Sequence, residues 1–230
     1  SGTSSSFQLD AGKTYNWYAI SINASTVPNI NNAGVISAAS LANKDVLRAS
    51  GQLTTVFGAN NLSILFNRLT ARIEVDVNVR GVFGRVDNTT SISLGSIVSG
   101  NFVDIARIGD LDVRTGRFSN LVNAGAITGD QMTVASTQTG DAVKKAAFHT
   151  LNTSNIPAGN LRVRLNRLNI KLDDESIRNF SPNTLVSIPN SLTPVIGTRH
   201  ILNIRLIESA LNISGNLWAR TNLIYDPAPG

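Results

Sequence analysis

Residues 62–80 read LSILFNRLTARIEVDVNVR, and from Leu69 onward Leu69, Ala71, Ile73, Val75, Val77 and Val79 alternate without a break against Thr70, Arg72, Glu74, Asp76, Asn78 and Arg80. A period of two, carried by β-branched residues, sets every apolar side chain on one face of an extended strand. On a helix the same residues would scatter round the circumference. The spacing predicts a long strand with one face buried and one in water. That apolar face needs a cover, and segments 14–23, 161–172 and 199–213 offer faces of the same kind. The expectation is a β-sandwich, two sheets packed face to face.

The chain has 230 residues, long for one small sandwich and comfortable for two. Apolar residues make up 42% and charged residues 15%, a balance that fits half-wetted β surface and not disorder. Cysteine is absent, which excludes disulfides, a thiol nucleophile and a thiolate metal site. Stability must come from packing, and the absence of cysteine tilts the source towards bacteria, since a secreted animal domain of this kind more often carries disulfides. No run of about 18 apolar residues occurs, so no membrane-spanning helix is expected. The opening SGTSSS and closing PAPG are those expected of a processed or trimmed chain whose export signal has been removed.

The formal net charge is +5, but the arginines stand singly along the chain. Scattered cations on wet strand faces keep edges from mispairing, so no nucleic-acid partner is expected. The row Arg162, Arg164, Arg167 is the candidate contact for an anionic glycan or phosphate.

In chain order, residues 13–23 form a first strand with apolar residues on both faces, which suggests a central, doubly covered position. Its aromatics Tyr15 and Trp17 read as core packing. A long Asn- and Ser-rich connection ends in a short edge strand or helical turn at 45–49, then a strand at 52–57 and a GANN turn. Strands are expected at 91–97 and in a hairpin over 111–118 turning at Thr115 and Gly116. Periodicity lapses after it, which places a domain boundary near residue 128 and gives domains 1–128 and 129–230. In the second, Leu161, Val163 and Leu165 keep one phase and Leu168, Ile170 and Leu172 another, as a β-bulge between them would produce. Residues 201–207 are expected inside the second sheet, and 218–225 as a last strand.

Catalytic material is thin. His149 and His200 lie at strands among apolar neighbours and read as structural. No metalloprotease, nucleophile-elbow or phosphate-loop signature occurs, and GVFGR at 81–85 lacks a following helix. Asp173, Asp174 and Glu175 lack the spacing of a calcium loop and read as a solvated turn, with a hydrolase using Asp173 or Asp174 as a weaker alternative. The chain is therefore expected to be no enzyme, with no cofactor and no metal. Asn-x-Ser/Thr sequons include those at Asn23, Asn61, Asn88, Asn152 and Asn212, in a chain so rich in these residues that several arise by chance.

The run YNWYAISIN, then DVLRASG, then VFGANNLSILFNRLTARIEVDV resembles the N-terminal domain of the fimbrillin family, the lipoprotein-derived pilins and pilus-tip proteins of certain Gram-negative bacteria. The positions carrying the likeness are Asp45, Leu47 and Ala49, then Phe66, Arg68, Ala71, Arg72, Ile73 and Val75. In the second half Pro194, Gly197, His200, Leu202 and Ile204, then Trp218, Ala219, Asn222 and Leu223, are similar to further family elements. The resemblance implies two tandem transthyretin-like β-sandwich domains and a structural or adhesive subunit of a surface pilus, assembled by β-strand exchange with other pilin subunits. It also implies an outer-membrane lipoprotein precursor, an extracellular mature chain, and a host protein or glycan as a further partner. Phe66, Ala71, Ile73, Val75, Val77 and Trp218 are the expected fold-bearing core. The alternative is a cell-surface carbohydrate- or ligand-binding β-sandwich module working through exposed aromatics or the Arg162, Arg164, Arg167 row.

Overall fold

The structure, a computed structural model, describes residues 8–208 and 211–218 and is almost entirely β. The chain enters through β1 (Thr14–Ser21), the short β2 (Val35–Ile36), one helical turn α1 (Ala38–Leu41) and β3 (Leu47–Thr54). The two-residue β4 (Asn67–Arg68) leads into β5 (Ala71–Gly81), followed by β6 (Arg85–Val86), β7 (Ser91–Val98), β8 (Asn101–Asp104), β9 (Arg107–Asp112) and β10 (Phe118–Asn123). Then come β11 (Ile127–Thr128), β12 (Thr133–Val134), β13 (Val143–Thr150), β14 (Leu161–Arg167), β15 (Asn169–Lys171), β16 (Ile177–Asn179), β17 (Thr184–Ser187) and β18 (Arg199–Ile207). A hairpin of β19 (Leu211–Ile213) and β20 (Asn216–Trp218) closes the described chain.

The alternating run forms β5, and its inward residues Ala71, Ile73, Val75, Val77 and Val79 are fully buried. β13 pairs with it antiparallel along its whole length, β18 pairs parallel on its other edge, and the sheet runs β12-β13-β5-β18. A second sheet runs β11-β7-β14-β17, with β8 also on β7. Its inward residues, among them Ile92, Leu94, Leu161, Val163 and Leu165, join those of β5 and Phe148 of β13 in one hydrophobic cluster. Three smaller sheets, β1-β3-β4, β10-β9-β2 and β16-β15-β6, surround this pair. The β14 bulge is present: the register against β7 shifts between Leu165 and Arg167, which releases Asn169–Lys171 into a different sheet. The hairpin around Thr115 and Gly116 is present too, with Phe118 opposite Leu111 and Gly116 at φ +71°.

Several expectations are corrected. The boundary near residue 128 cuts both large sheets, because β5 and β7 lie before it while their partners β13, β18 and β14 lie after it. The loss of periodicity there marks a connection between strands of one sandwich. β1 is no central strand: it pairs only with β3 among the described residues, and Tyr18 is exposed. The two short segments expected at 45–49 and 52–57 are one strand, β3, continuous through Gly51. Its register sets Gly51 opposite Trp17, where an added Cβ would lie 2.7 Å from the indole. Phe66 is exposed, since residues 56–66 form no strand before β4. β18 is an edge strand and shares its sheet with β5. Trp218 ends β20, where only the backbone is described, and the rest of the segment expected at 218–225 lies outside the described residues.

The polar face of β5 is partly covered, contrary to the expected wet face: Arg80 is exposed and Arg72, Asp76 and Asn78 are half-buried. Glu74 is 1% exposed. Its carboxylate accepts from Arg72 Nη2 at 2.7 Å and Lys145 Nζ at 3.1 Å, with Arg199 Nη2 at 3.8 Å. Burial alone would raise its pKa. The Lys145 hydrogen bond and the charges of Lys145, Arg72 and Arg199 outweigh burial and hold the carboxyl below the ordinary range.

Two outcomes follow from these pairings. Residues 1–128 expressed alone will show no cooperative urea transition, because β5 then lacks both its partners and β7 lacks β14. In the full chain Phe148→Ala, at a fully buried site, will lower the unfolding free energy by about 3–5 kcal/mol.

Candidate functional site

The two large sheets end in β17 and β18, and both strands border a single groove of about 490 Å³. Neither pairs with a further strand on its outer side among the described residues. The groove floor is apolar: Ile188 and Leu192 come from the segment after β17, Leu202 and Ile204 from β18, and all four are buried. Asn190, Ser191, Asn203 and Arg205 form a polar rim. An apolar floor between two open edges is a seam in the sandwich, where backbone donors and acceptors and alternate side-chain pockets are presented together.

Local sequence sets both walls. Gly197 takes φ +79° in the turn before β18, where Thr198 N–H donates to Val195 O at 3.0 Å. The imidazole of His200 accepts from Val195 N–H at 3.2 Å, and Gly197 N–H donates to Thr70 O at 3.0 Å. The turn is thereby fastened to the start of β5 and sets His200 opposite Ile73. Thr198 O accepts from Arg72 N–H at 3.0 Å, so strand alternation turns the backbone groups of Ile201 and Asn203 to the open side. On the other wall Ile156 and Leu192 exchange backbone hydrogen bonds of 2.8 and 3.0 Å, which pins the segment following β17.

The predicted arginine row is only partly assembled. Arg162 Nη1 donates to the carbonyls of Gly159 and Leu161 at 2.5 and 2.9 Å. Arg164 lies 4.3 Å over the Phe102 ring and donates to Asn166 Oδ1 at 2.7 Å. Both guanidinium groups are engaged within the protein. Arg167 sits beyond the register shift. Asp174 accepts from the amide and hydroxyl of Ser176 at 3.0 and 2.6 Å, which holds its carboxyl below the usual range and makes it a turn residue. Glu175 pairs with Arg85 and Lys171. Among the described residues no group of three or more His, Asp or Glu side chains converges as a metal site would, and no helix is long and apolar enough to cross a membrane.

The seam was not legible in the sequence. Residues 201–207 are apolar on both faces apart from Asn203 and Arg205, a pattern that predicts an interior strand. The open edge arises because β18 crosses over to run parallel to β5, a placement no local pattern carries.

No protein-family model and no curated protein matches the chain. Among solved structures it is similar to a candidate cell adhesion protein of Bacteroides fragilis NCTC 9343, at 14% identity, 96% of this chain, 69% of the other and a TM-score of 0.45. A second such protein, from Bacteroides thetaiotaomicron VPI-5482, aligns at 14% identity over 94% of this chain and 74% of the other, with a TM-score of 0.38. A third, from Bacteroides uniformis ATCC 8492, aligns at 11% identity over 84% and 67%, with a TM-score of 0.40. At these scores the likeness assigns neither family nor function.

His149 is buried on the polar side of β13, its Nδ1 3.5 Å from Thr70 Oγ1. Burial lowers its pKa below the usual 6.5, and Arg72 and Arg68 lower it further against the opposing pull of Asp45. A depressed folded-state value means that the unfolded chain takes up the proton first. The stabilisation is therefore complete above pH 6.5 and is lost as pH falls from there toward the folded value. Urea unfolding will show stability declining through that window, and His149→Gln will flatten that part of the profile.

Proposed function

We propose that the chain is a non-enzymatic structural or adhesive subunit of a bacterial surface fibre, and that the seam between β17 and β18 receives a strand from a neighbouring subunit. The observation that carries this reading is the pair of open edges above the floor of Ile188, Leu192, Leu202 and Ile204. An inserted strand would pair its main chain with an edge and place alternate apolar side chains on that floor. An edge left open in a monomer is an aggregation liability; in a fibre it is the joint. The fimbrillin-like motifs support the same reading. They also support export as a lipoprotein precursor, a surface location for the mature chain and other pilin subunits as its partners. The positions carrying the likeness include Ala71, Ile73 and Val75 in β5 and Leu202 and Ile204 in β18, which are core and seam residues.

Immunogold electron microscopy of intact source cells, with antibody to this chain, tests the location: gold along or at the tips of filaments is expected, and gold on a filament-free surface would refute it. The joint is tested by Asn203→Pro, which removes an outward backbone donor from an edge strand that tolerates proline. The variant should lose incorporation into filaments while its thermal unfolding midpoint stays within a few degrees of wild type.

A further inference from the structure

On the polar face of the β12-β13-β5-β18 sheet, two clefts meet at Arg72. The larger, about 590 Å³, is lined by Arg72 and Lys145 from the sheet and by side chains from Ala39 to Lys44 and from Ala124 to Thr133. The smaller, about 160 Å³, is lined by Asp45, Arg68, Arg72, Gly197, Thr198 and Arg199. Arg72 lines both.

The charge here is unbalanced. Lys44, Arg68, Arg72, Lys145 and Arg199 face Asp45, Glu74 and Asp76, five cations against three carboxylates, an excess of two positive charges. Lys44 has no ion pair among the described residues. Hydrogen bonding is also incomplete at the same place. Arg72 spends Nη2 on Glu74 while its buried Nε has no acceptor, and Asn43 donates from Nδ2 to Ala124 O while its buried Oδ1 has no donor. Those two atoms lie beneath the surface, and what a ligand in the clefts meets is the exposed cationic groups of Lys44, Arg68, Arg72 and Arg199.

The complement of these cations is a carboxylate or sulfate oxygen, and that of the exposed lining side chains Gln131 and Thr133 is a hydroxyl. The larger cleft owes its room to Ala39, Ala42, Ala124, Ala126 and Ala147, and neither lining holds an aromatic ring on which a neutral sugar would stack. Recognition by charge and hydroxyl bonding, without stacking, is what remains. We propose that the Arg72 clefts bind an acidic oligosaccharide, one acidic group seated in each cleft and sugar hydroxyls on Gln131 and Thr133. This site is separate from the β17–β18 seam, and its occupation does not depend on strand capture.

The test is titration calorimetry of the purified chain at physiological ionic strength with three probes: a hyaluronan tetrasaccharide carrying carboxylates alone, a heparin tetrasaccharide carrying carboxylates and sulfates, and neutral maltotetraose. Binding of one or both acidic probes, weakening as salt rises, with no heat from maltotetraose, is expected; which acidic probe binds identifies the acidic group. Replacing two exposed lining cations, Lys44→Ser with Arg199→Ser, should weaken binding by about tenfold or more while the unfolding midpoint falls by no more than a few degrees, the cost of the long Arg199–Glu74 contact. Arg80→Ser with Arg167→Ser removes the same charge outside both clefts and should leave affinity unchanged. Silence from both acidic probes, equal binding of maltotetraose, or equal loss in the two double variants would overturn the proposal.

Discussion

β5 has a strand on each edge, full cover on its apolar face and partial cover on its polar face, and a strand so placed has to satisfy its backbone from distant parts of the chain. β13 supplies one edge from about 70 residues downstream and β18 supplies the other from still further on. Only when both are docked does the row from Ala71 to Val79 lose all contact with water. Each such pairing has a loop-closure cost that burial must exceed, so the sandwich forms as one cooperative unit in which neither half of the chain is complete without the other.

The polar face of β5 adds direction to that pairing. Lys145 of β13 and Arg199 of β18 converge on Glu74, which Arg72 already holds. A buried ion cluster is weak evidence of net stability, since desolvation offsets much of the Coulombic gain. A slip of either strand would nevertheless leave Glu74 buried with fewer cations, which is strongly unfavourable. The cluster thus penalises wrong registers. It also draws cations to one place, so the face that specifies register is the face with positive charge in excess.

The seam and the charged clefts have a common origin in β18. Because the strand runs parallel to β5, its turn at 194–197 lies beside the start of β5 and its outer edge stays open among the described residues. Its inward side chains, Leu202 and Ile204, floor the groove, while Arg199 at its beginning reaches the polar face. One crossover places an apolar groove on one side of the sheet and a cation on the other.

Local sequence determined the β class, the existence and buried face of β5, the hairpin at 115–116 and the bulge after Leu165, because each is written in side-chain period or turn chemistry within about a dozen residues. It did not determine which strands pair. The apparent boundary near residue 128, the supposed interior position of residues 201–207 and the supposed wet face of Glu74 all failed for one reason: period two reports which face a side chain takes, and says nothing about which strand lies beside it or what covers the polar face. The arginine row shows the same limit, for adjacency in sequence placed Arg162 and Arg164 together, while neighbouring carbonyls, Asn166 and Phe102 decided how they are engaged. Gathering Arg68, Arg72, Lys145 and Arg199 onto one surface, and leaving the edges of β17 and β18 open on one groove, were decided by tertiary structure alone, because both depend on non-local pairing that no short stretch of the chain encodes.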